Sequence, residues 1–230
     1  MKTIYKKTFG IILFLAFGIV AHDCYAQKKV SFGLQGSPMI SWMKPDVKTI
    51  ENKGVKLGFG YGLILDFNFH DNYSFSTGLS VLNSNSKIQY NDTIPFERAG
   101  IQDSIPGGNS VTYKLGYLEF PLTLKLKTNE IGYITYFGQF GLSSQFRISA
   151  KGTATSNINT TEGPIDGDDI SKEVRFINLA LTIGAGMQYS LGGDTFLLVA
   201  LLYNNGFLDV TKDDEKVVLK SLALRVGVMF

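Results

Sequence analysis

Residues Val55 to Phe69, VKLGFGYGLILDFNF, alternate in polarity without a break. Val55, Leu57, Phe59, Tyr61, Leu63, Leu65, Phe67 and Phe69 share one face; Lys56, Gly58, Gly60, Gly62, Ile64, Asp66 and Asn68 share the other. Successive side chains point to opposite sides of a strand, so a period of two is a strand signal. The run is more than twice the ordinary strand length of ~5–6 residues. It commits the chain to a sheet of long strands, each with one fully apolar face.

The same alternation recurs. From Val174 to Tyr189, Ile177, Leu179, Leu181, Ile183, Ala185, Met187 and Tyr189 oppose Asn178, Ala180, Thr182, Gly184, Gly186 and Gln188. From Tyr117 to Leu126, Leu118, Phe120, Leu122, Leu124 and Leu126 oppose Glu119, Pro121, Thr123 and Lys125. At the end, Leu222, Leu224, Val226, Val228 and Phe230 oppose Ser221, Ala223, Arg225, Gly227 and Met229. Segments 30–40, 73–88, 133–148 and 195–207 read as weaker strands, and 195–207 is apolar on both faces, so its phase stays open. The prediction is eight strands.

The connections sort into two kinds. Long loops are expected near 41–54, 89–110 and 149–172, with a medium one near 208–217; tight turns fall at 70–72, 128–132 and 191–194. Long and short alternate, as in an outer-membrane barrel with short periplasmic turns and longer outer loops. A soluble eight-stranded barrel is apolar inside and polar outside. Here the less apolar face is mostly Gly, Ser, Thr, Asn and Gln, small enough for a narrow barrel interior. The other face is bulky Leu, Val, Ile and Phe. A ten-residue strand at ~3.4 Å per residue, tilted ~40°, rises roughly 26 Å, close to the ~25 Å apolar band of such barrels. Lipid also forbids an open sheet edge, whose backbone groups would be unpaired. The fold class is therefore all-β, an eight-stranded antiparallel up-and-down transmembrane β-barrel with both ends on the periplasmic side. Phe67, Phe69, Tyr73, Phe75, Tyr133, Tyr189 and Phe230 gather at the turn ends; Trp42, Phe59, Phe146, Phe176 and Phe207 lie toward the loop ends, where two aromatic girdles would sit.

Residues 1–26 read as a signal peptide: Lys2, Lys6 and Lys7, an apolar stretch from Phe9 to Ala21, and cleavage between Ala26 and Gln27. The barrel domain is then 27–230, in the outer membrane. Cleavage leaves equal numbers of acidic and basic residues, so charge gives no reason to expect a nucleic-acid partner. It also removes Cys24, the only cysteine, and His22, leaving His70 as the one histidine. Disulfides and cysteine or histidine-rich metal sites are excluded for the mature chain.

YLEFPLTLKLK, followed by a tight turn, the Gly-rich YFGQFGLSSQF and a terminal aromatic, resembles the PorT-like outer-membrane β-barrel family of Bacteroidetes, which belongs with small OmpX/OmpA-like barrels. The most specific part is Tyr117-Leu118-Glu119-Phe120-Pro121-Leu122. The resemblance spans nearly the whole mature chain. It implies an envelope barrel, with an accessory role in type IX protein secretion as an alternative. It also implies that Leu224, Val226, Val228 and Phe230 form a C-terminal signal read by the barrel-assembly machinery.

Little of the chain points to catalysis. Lipid-modifying barrels use a histidine beside a hydroxyl or carboxylate, and His70 is expected in a periplasmic turn, away from the outer leaflet. No catalytic residue, cofactor or metal site is predicted. Gly58, Gly60 and Gly62 form a GxGxG inside a strand, where a nucleotide fingerprint needs a strand-to-helix turn. Asp166, Asp168 and Asp169 lack the register of a calcium loop. Asp92-Thr93-Ile94 and Asp103-Ser104-Ile105 resemble a short O-glycosylation pattern.

The inward face carries Asp66, Glu119, Lys125 and Arg225, with Arg147 near the outer mouth. Desolvated charges must be paired. The expectation is that Glu119 and Asp66 pair with Arg225 and Lys125, packing a polar interior rather than lining a pore. The expected function is a non-enzymatic envelope barrel whose loops act at the surface; outer-membrane lipid and lipopolysaccharide are expected partners, with secretion-system proteins as further ones and a lipid-modifying enzyme as the remaining alternative.

Overall fold

The computed structural model describes residues 30–98, 101–154, 165–212 and 215–230. The cleavage residues Ala26 and Gln27, and the leader before them, lie outside the described residues. Eleven strands follow in chain order: β1 Val30–Pro45, β2 Ile50–His70, β3 Tyr73–Tyr90, β4 Ile94–Arg98, β5 Ile101–Ile105, β6 Ser110–Lys127, β7 Ile134–Ala154, β8 Asp166–Asp169, β9 Ile177–Gly192, β10 Thr195–Gly206 and β11 Val217–Met229.

Eight of them form the wall. The order runs β6-β3-β2-β1-β11-β10-β9-β7, and β6 pairs with β7 to close the ring. Every pairing is antiparallel. At the seam between the ends of the chain, Phe230 N–H donates to Phe32 O at 2.7 Å and Phe32 N–H to Phe230 O at 3.1 Å. The closed antiparallel barrel of eight strands is the predicted fold.

The tight turns are built by local chemistry. Asn72 N–H donates to His70 Nδ1 at 3.2 Å, while Asn72 Nδ2 donates to Lys127 O at 3.0 Å and to Asn129 Oδ1 at 2.9 Å, tying two neighbouring turns together. The β9–β10 turn has Gly192 and Gly193 at φ of 107° and 60°, a region that side-chain-bearing residues rarely occupy.

The structure corrects the loop boundaries. Residues 41–45 and 50–54 belong to β1 and β2, so the first connection is only 46–49. The region near 89–110 holds the β4–β5 hairpin and the start of β6. The region near 149–172 contains the end of β7 and the short β8, while β9 starts at Ile177, three residues later than Val174.

The added strand length has its own chemistry. On β3, Ser74, Ser76, Ser80, Ser84 and Ser86 face inward, with Leu82, Ile88 and Tyr90 toward the loop end. The outward face runs from Phe75 and Leu79 to Asn83, Asn85, Lys87 and Gln89. On β6, the inward face passes from Lys125, Thr123 and Glu119 to Tyr117, Leu115, Tyr113 and Val111; the outward face passes from Leu126, Leu122 and Phe120 to Lys114 and Thr112. Polarity therefore inverts partway up the wall. The lower barrel is apolar outside and polar inside, as lipid requires. The upper barrel is polar outside and apolar inside, like a soluble protein. The upper core joins Met39, Met43, Ile50, Leu82, Ile88, Tyr90, Tyr113, Leu115, Tyr117, Val217 and Leu219 with Phe96 and Ile105 of the hairpin. The expected polar interior is thus confined to the lower part of the barrel.

Strand β10 takes the even phase. Leu198, Ala200 and Leu202 point inward into a small apolar cluster with Ile64, Phe137 and Met229. A bulge at Ile148, where Gly116 opposes Ser149 and Tyr117 opposes Arg147, resets the phase of β7 so that Ala150 and Gly152 face inward.

Candidate functional site

The lower lumen is bridged by side chains. Lys125 Nζ donates to Asp66 Oδ2 at 2.5 Å, and Ser76 Oγ donates to Asp66 Oδ1 at 2.5 Å. Both charged side chains are sealed from solvent. Lys125 Nζ also stands 4.9 Å from the centre of the Phe137 ring, a favourable placement for a cation. Among the described residues Glu119 forms no direct ion pair. Its Oε1 accepts from Ser143 Oγ at 2.5 Å and Gln145 Nε2 at 3.1 Å, and Gln145 Oε1 accepts from Asn178 Nδ2 at 2.8 Å. Further round the same wall, from β9 to β11, Thr182 Oγ1 donates to Asn204 Oδ1 at 2.7 Å, and Asn204 Nδ2 to Ser221 Oγ at 3.3 Å. Gln35 Nε2 donates to Ser80 Oγ at 2.7 Å, joining β1 to β3 past β2.

Arg225 is buried within the electrostatic reach of Glu119 and Asp66. Its Nε has no hydrogen-bond partner among the described residues, and none of the ion pairs formed there includes it. The predicted interior charges thus come together as one direct pair, Asp66–Lys125, while Glu119 turns to neutral donors and Arg225 balances both carboxylates from a distance. Arg147 lies at the β7 bulge, half-buried, beside Tyr117 and Asp169 rather than in the lower network.

Below the Asp66–Lys125 pair a vestibule of about 350 Å³ opens at the turn end, lined by Asn68, Asn72, Lys127, Thr135 and Gln188 among others. Lys127 Nζ donates to Asn68 Oδ1 at 2.8 Å there. His70 is exposed in the adjoining turn, its ring 5.4 Å from Tyr73. Above the network, the upper core fills the lumen. Tyr90 and Tyr113 share a 2.6 Å hydroxyl contact inside it.

The hairpin is pinned over this core. Glu97 N–H donates to Glu173 Oε1 at 2.7 Å, and Lys172 pairs with Glu97. Burial raises the Glu173 carboxyl above its ordinary value, with the nearby Glu97 charge adding to the rise. Asp169 is lowered by hydrogen bonds from Ser171, whose N–H donates at 2.8 Å. The alternation rule missed this upper core because its inward residues are apolar, opposite to those below.

The C-terminal residues singled out in the sequence stand on the outer wall. Leu224, Val226 and Phe230 are exposed and Val228 half-exposed, with the Phe230 ring 5.6 Å from Phe32. The aromatic ends pair in rows. Phe69–Tyr73 and Tyr133–Tyr189 meet at the turn end; Trp42–Tyr203, Phe120–Phe146 and Phe146–Phe176 meet higher up. Between these rows the wall exposes Leu34, Leu63, Leu65, Leu122, Phe140, Leu142, Ile183 and Leu201, the band that contacts lipid. Among the described residues no three His, Cys, Asp or Glu side chains gather as a metal site.

The structure is similar to that of Neisserial surface protein A, with a TM-score of 0.50 and 10% identity, covering 88% of this chain and 96% of that one. It is also similar to the outer-membrane protein OprG of Pseudomonas aeruginosa, with a TM-score of 0.42 and 14% identity, covering 90% and 99%. No curated protein matches the chain in sequence. The family described as outer membrane protein beta-barrel domain matches residues 25–212. With a closed eight-stranded wall, an apolar outer band and that match over most of its length, the chain belongs to the outer-membrane β-barrel domain family and resides in the outer membrane.

Proposed function

We propose that this outer-membrane barrel is a non-enzymatic, non-conducting protein that works through its extracellular tier and outer wall. The observation that carries the reading is the doubly filled lumen. In its lower part the buried Asp66–Lys125 pair reaches from β2 to β6 past β3 and the Glu119–Gln145–Asn178 chain lines the wall from β6 to β9, and an apolar core anchored on Tyr113, Leu115 and Tyr117 fills its upper part. A solute would have to break both. His70, exposed in the turn with Nδ1 taken by the Asn72 N–H, supports a structural role for the one histidine among the described residues. Planar-bilayer recording of the refolded chain tests the reading. We expect no conductance above that of bare membrane; stable channel currents overturn it.

The finer assignment is to the PorT-like type, supported by Tyr117-Leu118-Glu119-Phe120-Pro121-Leu122, which spans the level where wall polarity inverts. In this reading the barrel-assembly machinery inserts the chain through its C-terminal strand, and secretion components are partners of the extracellular tier or of the periplasmic turns. A deletion strain separates the roles. Lost export of type IX cargo supports the accessory role; unchanged export with altered surface properties supports an envelope role; altered lipid A structure would point to an enzyme.

A further inference from the structure

On the outer wall, Lys114 of β6 and Lys151 of β7 are directly opposite each other in the ladder. Both are exposed, while their neighbours Tyr113, Leu115, Ala150 and Gly152 are buried, so both ammonium groups leave the wall on the same side. Like charges facing each other across a strand pair are destabilising. Lys56 joins them through a local irregularity. Alternation places it with Gly58 and Asp66 on the inner face, yet the β2–β3 register breaks between Val55 and Phe59, and Lys56 is exposed. The break is held open on both sides. Ser41 Oγ donates to Asn85 O at 2.6 Å, and Asn85 Nδ2 donates to Leu57 O at 2.7 Å. The result is an outward cavity of about 490 Å³ lined by Val55, Lys56, Leu57, Asn85, Thr112 and Lys114.

None of the ion pairs among the described residues includes Lys56, Lys114 or Lys151. The one acid opposite this row is Asp169, in register with Lys151; it accepts from the Ser171 N–H and its charge is shared between Lys151 and Arg147 without a direct ion pair to either, so one carboxylate faces a row of three lysines. A second outward cavity, of about 830 Å³ and lined by Arg175, Phe176, Phe207, Lys212 and Lys216, differs in this respect. There Arg175 is 3.2 Å from Asp209, and Lys216 is 3.9 Å from Asp46.

The cationic row sits at the top of the lipid-facing band. Leu57 is 78% exposed at the cavity itself, and Ile148, at the bulge three residues before Lys151, is 57% exposed. The geometry points to a binding site for the phosphomonoester headgroup of an outer-leaflet lipid, with Lys56, Lys114 and Lys151 around the phosphate and acyl chains running down past Leu57, Phe59 and Leu118. A phosphomonoester carries close to two negative charges at neutral pH, matching the opposed lysine pair, whereas a phosphodiester carries one. A free anion would leave the apolar half of the cavity without use. This assignment does not depend on whether the lumen conducts.

The test is retention of bisphosphorylated lipid A by the refolded full chain in detergent, read by native mass spectrometry, with phosphatidylglycerol and inorganic phosphate as competitors. We expect K114Q/K151Q to lower retention about tenfold, K114R/K151R to restore it, and K216Q to leave it unchanged. K56Q, outside the opposed pair, lowers it about threefold and serves if the double variant does not fold. Wild-type retention by folded K114Q/K151Q, or by K56Q where the double variant fails to fold, overturns the site. Equal displacement by phosphatidylglycerol overturns the monoester, and equal displacement by inorganic phosphate overturns the lipid source.

Discussion

Lys125 Nζ lies 2.5 Å from Asp66 Oδ2, joining residues 59 positions apart inside the wall, with neither side chain open to solvent. Such a pair contributes little net stability as a unit, because desolvation offsets the attraction, but losing one partner strands the other charge. Asp66→Leu alone should therefore destabilise the barrel by about 3–5 kcal/mol. Asp66→Leu with Lys125→Met should cost distinctly less than either change alone. Urea unfolding in lipid vesicles, followed by gel mobility of unheated samples, reads both.

Glu119 and Arg225 provide a different expectation. Glu119 is held by Ser143 and Gln145, and Arg225 feels it only at a distance. Their double-mutant coupling should be smaller than that of Asp66 with Lys125. A cycle built from Glu119→Gln and Arg225→Met, measured by the same unfolding assay, decides this.

Two glycines separate wall geometry from composition. A Cβ on Gly62 would meet Leu79 O at 2.2 Å and Ser80 Cα at 2.6 Å, whereas one on Gly36 would meet nothing nearer than Phe59 Cζ at 3.5 Å. Gly62→Ala should cost about 1–3 kcal/mol or more through overpacking. Gly36→Ala should fold as the parent does. Refolding yield into vesicles distinguishes them.

The upper tier should behave as a soluble core carried on a membrane barrel. Leu115 is 1% exposed, while its neighbour Lys114 is open to solvent. Leu115→Ala should cost about 2–5 kcal/mol. Protease added to sealed vesicles should then cut the upper tier while the lipid-embedded band stays protected. Lys114→Ala should leave the cleavage pattern unchanged.

Docking of the hairpin should depend on pH through Glu173. Its carboxyl is raised in the folded chain by burial and by the Glu97 charge. A raised acid binds its proton more tightly when folded, so its stabilising effect is complete below the unfolded value near 4.5 and is lost as pH rises through the folded value. Protection of the Glu97 amide against hydrogen exchange, corrected for intrinsic rates, should fall across that window. Glu173→Gln should flatten the dependence.

The lower barrel was legible because lipid imposes one rule on every strand. In β2, β9 and the end of β11 the outward residues are apolar and the inward ones, Ile64 and Met229 apart, small or polar, so a period of two identified strand, face and phase together. The rule failed where two apolar surfaces meet. Leu198, Ala200 and Leu202 of β10 pack inward against Ile64, Phe137 and Met229 while Leu201 faces lipid, and pattern alone cannot phase such a strand. It failed again above the membrane. Val111, Tyr113 and Leu115 alternate with Thr112 and Lys114, but with the faces exchanged, so the segment reads as the end of a loop. Of the interior charges, the sequence placed Asp66, Lys125, Glu119 and Arg225 in the lumen; which carboxylate would meet which cation depended on the β2–β3–β6 register.

Trp42, the only tryptophan, allows the most direct test. It stacks near Tyr203 at 6.4 Å, in the upper aromatic row where wall polarity inverts. In vesicles of lipids brominated at defined depths, its fluorescence should be quenched most by bromines near the headgroups and progressively less toward the bilayer centre. Quenching that peaks at the centre, or none at any depth, would contradict a barrel that changes its outer face from lipid to water at this level.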